Sequence, residues 1–230
     1  MQVGQHVILM GAQGAGKGTQ AERLAPKLNL AHFSTGEAFR AAISQGTDLG
    51  VVAKAFLDRG DLVPDDVTVG IVAAKLGQIA AGASSGGPTG ALFDGFPRTL
   101  SQAEGLDREL SERGESIAAV IEIDVPRANL IERLSGRRIC TAGGHIYHVA
   151  FNPPSVPGIC DVDGSPLEQR ADDLPAAIER RLALYFEMTA PLLDYYRAGG
   201  LLHQVDGLQS IDAVEQEILS ILAPVARAGT

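Results

Sequence analysis

The stretch Val7-Ile8-Leu9-Met10-Gly11-Ala12-Gln13-Gly14-Ala15-Gly16-Lys17-Gly18-Thr19-Gln20 decides the fold. Four apolar residues lead into a glycine-rich turn, and the turn ends in Lys-Gly-Thr, where a helix opens. The unbroken apolar run predicts a strand buried on both faces, as in a parallel sheet. Glycines let backbone N–H groups turn inward and approach an anion closely. Lys17 adds a mobile cation, and the helix starting beside it adds the positive end of its dipole. Gly11 and Gly16-Lys17 satisfy the spacing G-x-x-x-x-G-K of a phosphate-binding loop, with Gly18 where that pattern ends in Ser or Thr. The bland alternative is a glycine-rich turn with an incidental lysine. Strand, turn, lysine and helix in the required order outweigh it.

Working outward, 230 residues with 45% hydrophobic content suit one large domain or one domain with insertions. The formal charge of −9, from 28 acidic and 19 basic residues, argues against general nucleic-acid binding. No uninterrupted apolar run approaches bilayer length, so no membrane partner is expected. The residues before the first strand, Met1 to His6, carry no basic region, so a signal peptide is not expected and a cytoplasmic location is. Two cysteines then imply a reducing compartment. The run Ala80 to Gly90, rich in Gly, Ala and Ser, predicts a flexible surface loop.

Downstream of the loop, Ala21, Leu24, Ala25 and Leu28 give a helix one apolar face. A short strand at 31–34 precedes a helix with Ser34 or Thr35 as cap and Glu37 in its first turn. Helices follow at 49–59, stopped by Gly60, and at 65–81, started by Pro64. Strands are expected at 91–94, 118–125 and 201–205, with helices at 101–113 and from Pro126 to Leu134. Ile211, Val214, Ile218 and Leu222 mark a final packing helix. Asp94 closes an apolar strand opposite the phosphate loop; in open α/β sheets that end of the strand forms the ligand crevice. A carboxylate there can hold Mg²⁺ directly or through water, although Asp94-Gly95 is also an ordinary turn pair.

Four strings carry a resemblance: Gly16-Lys17-Gly18-Thr19-Gln20, Ser34-Thr35-Gly36-Glu37 with Arg40, Asp94-Gly95-Phe96-Pro97-Arg98-Thr99, and Arg133-Leu134-Ser135-Gly136-Arg137-Arg138. Together they resemble the nucleoside monophosphate kinases, above all the adenylate kinase family in its long-lid bacterial form, over residues 5 to 222. The resemblance implies an α/β fold: a P-loop three-layer sandwich with a central parallel sheet. Its core would be 1–33, 64–135 and 174–230, with an NMP-binding insertion at 34–63 and a lid insertion at 136–173. It implies that Gly14, Ala15, Gly16, Lys17, Gly18 and Thr19 cradle the ATP phosphates. Arg133 would stack on the donor adenine, Arg137 reach its phosphates, and Ile146, Tyr147 and Gln209 complete that side. AMP would meet Thr35, Asp61, Leu62 and Val63 on one flank, and Gly95, Phe96, Pro97 and Gln102 on the other. Arg40, Arg98, Arg170 and Arg181 would grip its phosphate, and Asp94 would hold Mg²⁺ through water. Taken singly, each arginine reads as a solvated helix charge, and two apolar residues such as Leu62 and Val63 read as core. The chain departs from the family at Gln13, where Pro is usual.

From Ile139 to Asp173 the composition shifts to Gly, Pro and Asp, and helical periodicity stops. Some bacterial lids carry four zinc ligands. Here Cys140, Cys160 and Asp163 match, but Gly143 stands at the second position and His145 lies two residues on. Three readings stay open: a structural Zn²⁺ at Cys140, His145, Cys160 and Asp163; reduced thiols in a hydrogen-bonded lid; and a Cys140–Cys160 disulfide, which a reducing compartment disfavours.

The expected chemistry is phosphoryl transfer, ATP + AMP ⇌ 2 ADP, by a monomer. Lys17, Arg40, Arg98, Arg137, Arg170 and Arg181 with Mg²⁺ would act as the catalytic cations. No general base is needed, because the acceptor is already an anion. A GTP:AMP phosphotransferase is the nearest rival. A switch protein that binds nucleotide without transferring phosphate is the rival of another class, but the sequence has no Asn-Lys-x-Asp base-reading string. Two flaps that exclude water would let lid opening limit turnover.

Overall fold

The computed structural model describes residues 4–59, 61–83 and 85–227. A five-stranded parallel sheet forms its centre, built from β1 (Gln5–Met10), β2 (Leu30–Ser34), β3 (Gly90–Asp94), β4 (Ser116–Asp124) and β8 (Leu202–Asp206). The spatial order is β2-β3-β1-β4-β8, all parallel. After β1 the chain runs to one side of the sheet and then crosses to the other, so the crevice opens beyond the C-terminal end of β1.

Alternation along β1 explains its unbroken apolar run. Val7 and Leu9 face one layer, with Leu24 of α1 (Lys17–Leu28), Leu130 of α6 (Arg127–Gly136) and Ile218 of α9 (Ile211–Arg227). Ile8 and Met10 face the other, with Leu76 of α4 (Asp65–Ala83), Leu106 of α5 (Leu100–Arg113) and Tyr196 of α8 (Pro191–Ala198). Both faces of the strand are therefore dry, as the run requires. Register brings the site together: Asp94 at the end of β3 lies level with Leu9 on β1 and Ser34 on β2.

Two smaller bodies extend from this core. Helices α2 (Thr35–Ser44) and α3 (Asp48–Leu57) share a cluster of Phe39, Ala53 and Val63. Residues 137–168 form a three-stranded antiparallel sheet of β5 (Arg137–Cys140), β6 (Ile146–His148) and β7 (Leu167–Glu168), closed around Cys140, Tyr147 and Cys160. Helix α7 (Pro175–Leu184) then returns the chain to the core through a π-helical turn at Tyr185–Thr189.

Some expectations shift. The loop at 80–90 is shorter: α4 runs through Ala83 and β3 begins at Gly90. Neither proposed cap of α2 works as one, because Ser34 makes no side-chain cap bond and Thr35 donates to the Gly95 carbonyl at 3.1 Å. The stop at Gly60 lies outside the described residues. By length and mean hydropathy α4 could cross a bilayer, contrary to the reading of isolated runs. Its packing says otherwise: Thr68, Val72, Leu76 and Ile79 form a buried stripe, and its first residue, Asp65, is tied to the candidate site.

Candidate active site

Between β1 and α1 the Ala15 N–H donates to the Ala12 carbonyl at 3.1 Å, and Gly14 sits at φ 87°. That is a tight turn whose third residue needs a left-handed backbone. Gly11 is required for another reason: a Cβ there would lie 2.6 Å from the Ile123 carbonyl oxygen of β4. Gly16 precedes the helix at φ 103°, so the first amides of α1 face the loop opening. Lys17 folds over the loop, its Nζ donating to the carbonyls of Gly11 at 2.7 Å and Ala12 at 2.9 Å. Burial lowers Lys17 to about 8, with Asp94 opposing the shift and Arg98, Arg181 and Arg137 reinforcing it.

Asp94 faces this loop. A Cβ on Gly18 would lie 3.5 Å from Asp94 Oδ2 and 3.9 Å from Cδ1 of Ile146 in the lid. A side chain at 18 would therefore touch both the carboxylate and β6, which reaches over the same spot. Burial pushes the Asp94 carboxyl up, but His32, Lys17 and Arg98 outweigh it and hold the group below the ordinary carboxylate value. An ionised oxygen donor beside a phosphate loop fits Mg²⁺. His32, which sequence reasoning passed over, holds its Nε2 3.7 Å from Asp94 Oδ2. Its signal was its place on β2, two residues before the strand end.

Across the crevice, the Gly95 carbonyl gathers two site residues: Arg98 Nε at 2.7 Å and Thr35 Oγ1 at 3.1 Å. Gln102 is anchored twice, accepting from the Arg98 N–H at 2.8 Å and donating to Asp65 Oδ1 at 2.7 Å. Thr99 donates to the other Asp65 oxygen at 2.9 Å and caps α5 by accepting from the Gln102 N–H. Thr35, Asp61, Leu62, Val63, Arg98 and Gln102, all assigned to one ligand by the resemblance, line one cleft. Phe39, Leu57 and Thr68 line it too and were not foreseen. Neighbouring side chains also carry packing roles. Phe96 packs into the core against Phe93, joined to Pro97 by a cis bond, and Val63 belongs to the α2–α3 cluster as well as to the cleft wall. Asp61 is held by Arg59 at 3.0 Å and by Arg180 at 2.6 Å.

A second opening adjoins the first and is lined by Arg40, Arg98, Arg181, Asp61, Asp172 and Gln13. Burial lowers Arg40 and Arg181 to about 10, and Arg170 and Arg137 repel both. Carboxylates hold this group in place. Arg137 donates to both oxygens of the fully buried Asp173, at 2.7 and 2.6 Å, and Arg181 reaches Asp173 Oδ1 at 3.2 Å. Arg170 pairs in fork geometry with Asp172, at 2.9 and 2.7 Å. On the donor side Arg133 donates to the Gly207 carbonyl at 2.9 Å, where the chain leaves β8, and approaches Ala15 O at 3.5 Å. Gln209 follows that turn, its side chain bound to Glu217 at 2.8 Å.

The whole chain can now be compared with known proteins. A family model described as adenylate kinase matches residues 9–201. A protein of Oceanobacillus iheyensis named adenylate kinase is 54% identical over 217 residues, covering 94% of this chain and 98% of its own length. One of Moorella thermoacetica with the same name is 52% identical over 208 residues, covering 90% and 93%. Another, from Staphylococcus epidermidis, is 48% identical over 217 residues, covering 94% and 98%. The chain belongs to the adenylate kinase family. It is thus a phosphotransferase.

As an adenylate kinase of long-lid form, it carries a lid with its own chemistry. Cys140, His145, Cys160 and Asp163 bring one ligand atom each within 4.8 Å of one another. Cys140 Sγ lies 3.2 Å from Asp163 Oδ2, and Cys160 Sγ lies 3.3 Å from His145 Nδ1. Gly143 explains how histidine enters: a Cβ at 143 would sit 2.2 Å from His145 Cε1 and 2.8 Å from Asp163 Oδ2. The imidazole thus fills the space a side chain at 143 would take. Two sulfurs, one nitrogen and one oxygen at this spacing fit a tetrahedral Zn²⁺. The Ser165 N–H, then the Cys140 thiol, lower Asp163 to about 2 and keep it ionised. Both cysteines are free thiols, so the disulfide reading is not realised. Tyr147 is buried in this lid core, its hydroxyl accepting from the Asp161 N–H at 2.8 Å.

Proposed function

We propose that the chain moves the γ-phosphoryl group of ATP onto a phosphate oxygen of AMP, forming two ADP, with the named loop and arginines as the working residues. The bond from the γ-phosphorus to the β–γ bridging oxygen breaks, and one to the AMP oxygen forms. The observation that carries this reading is the convergence of Lys17, Arg40, Arg98, Arg137 and Arg181 on one crevice, several of them below their ordinary pKa. Burial is the first cause of each shift, and mutual repulsion adds to it. Cations held at such a cost are stabilised by the arrival of an anion. No proton needs removing from AMP, and the two carboxylates that line the Arg40–Arg98 cleft among the described residues, Asp61 and Asp172, are paired with Arg180 and Arg170.

In this reading the donor phosphates rest on Gly14 to Thr19, with Arg133 and Arg137 above them. AMP lies along Thr35, Leu62 and Gln102, its phosphate between Arg40, Arg98, Arg170 and Arg181. Asp94 would hold Mg²⁺ through its water shell, and the ion when bound shields the β- and γ-phosphates. Residues 34–63 and 136–173 act as closing flaps that exclude water. A zinc held by Cys140, His145, Cys160 and Asp163 would be structural. The reading extends to a cytoplasmic monomer whose partners are ATP, AMP and ADP; its net charge of −9 disfavours nucleic acid. A coupled assay offering ATP or GTP with AMP, UMP, CMP or GMP tests it. ATP with AMP is expected to be fastest; preference for GTP would make it a GTP:AMP phosphotransferase, and no transfer to any monophosphate would overturn the reading.

A further inference from the structure

Gln13 lies in the loop between β1 and α1. It is the second residue of the Ala12–Ala15 turn, followed by the left-handed Gly14. The bend directs its side chain away from Lys17, into the opening lined by Arg40, Arg98 and Arg181. Its Oε1 is buried and meets no hydrogen-bond partner. A buried amide atom without a partner is costly, so such a group in a ligand cleft points to a contact completed by ligand.

The surroundings say which ligand. Three guanidinium groups and two carboxylates share the opening, and the carboxylates, Asp61 and Asp172, are paired with Arg180 and Arg170 outside it, so the balance facing an occupant is positive and the occupant is anionic. Gln13 belongs to the donor loop in sequence but faces the acceptor side in space. We propose that Gln13 is a substrate-contacting residue that hydrogen-bonds the acceptor's phosphate and aims it at the group leaving the donor loop. A half-turn about the terminal torsion of the side chain is soft, and it presents Nε2–H to a phosphate oxygen. The arginines attract the phosphate from several directions with little angular preference. A neutral donor on the rigid side of the crevice adds the direction. An acid here would repel the phosphate, and a lysine would compete with Lys17.

The inference rests on AMP being the acceptor, and the experiment separates the two. Steady-state kinetics with ATP and AMP varied independently are measured for the wild type, Gln13→Met and Gln13→Glu, with melting curves for each. Met keeps the volume without the amide; Glu keeps the shape and adds a charge. Gln13→Met is expected to lower kcat/KM for AMP about tenfold, and Gln13→Glu by about a hundredfold or more, with KM for ATP within about twofold of wild type. Calorimetric binding of AMP should weaken in the same order. AMP parameters unchanged in both variants would overturn the proposal, as would equal losses for ATP and AMP, which mark a deformed loop. If Gln13→Met melts early, the isosteric Gln13→Glu decides. Absence of transfer to AMP by the wild type would strike the parent reading instead, and phosphate binding at Gln13 would still be read by calorimetry.

Discussion

Replacing Asp173 by Asn should unsettle the junction between lid and core more than any exposed ion pair could. Asp173 has no solvent exposure and accepts from Arg137 at 2.7 and 2.6 Å and from Arg181 at 3.2 Å. Asn keeps one oxygen and the shape, but it loses the charge and turns an N–H₂ toward a guanidinium. Charge-assisted hydrogen bonds contribute about 1.5–3 kcal/mol each, and leaving a buried partner unpaired costs roughly 3–5 kcal/mol in all. Surface pairs such as Lys54–Asp58 lie near the bottom of the roughly 0–1 kcal/mol range, so burial decides the contrast. For a domain of this size each kcal/mol shifts the melting midpoint by about 2–4 °C, so the loss is expected to be on the order of 10 °C. Thermal unfolding followed by circular dichroism, with Asp58→Asn as the exposed control, measures it. A midpoint within about 2 °C of wild type would refute the argument that Asp173 holds the arginines at a cost the fold feels.

Arg98→Ala removes a preorganised charge tied to Gly95 and should lower turnover roughly 10²–10³-fold; near-normal turnover in the coupled assay would count against its role. Lys17 must be protonated to hold phosphate, and it titrates at about 8. The kcat/KM for ATP should therefore fall as pH rises through about 8, and a flat profile to pH 10 would contradict this. Stability runs the other way. The folded value lies below the unfolded value of about 10.4, so the unfolded chain binds more protons between the two, and Lys17 adds stability as pH rises through that window. The purified protein should hold one zinc per chain by mass spectrometry, and His145→Ala should lose it with a lower melting midpoint. A wild type that stays metal-free after zinc is offered would remove that site.

The parallel sheet and the phosphate loop were legible because their signals are local. An apolar run of strand length, a glycine turn and a lysine need only their neighbours to be read. The Asp94-Gly95 turn was legible for the same reason. Harder to read were residues whose role depends on a distant partner. Asp173 looks like one acid in an acidic string, and only the fold lays it under Arg137 and Arg181. Gln102 and Asp65 are far apart in the chain, yet one amide ties them. Tyr147 and Val63 also close the small cores of lid and flap, which their neighbours in the sequence do not announce.

Residue order alone therefore determined that a phosphate is held at the first strand–helix junction, because backbone amides and Lys17 arise from consecutive positions. It also determined which arginines were available. Which carboxylate restrains which arginine, and that His145 occupies the space left by Gly143, only the tertiary structure decided. Coulomb and packing energies depend on distances through space, and chain separation does not encode those distances until the sheet order and the lid's turns are set.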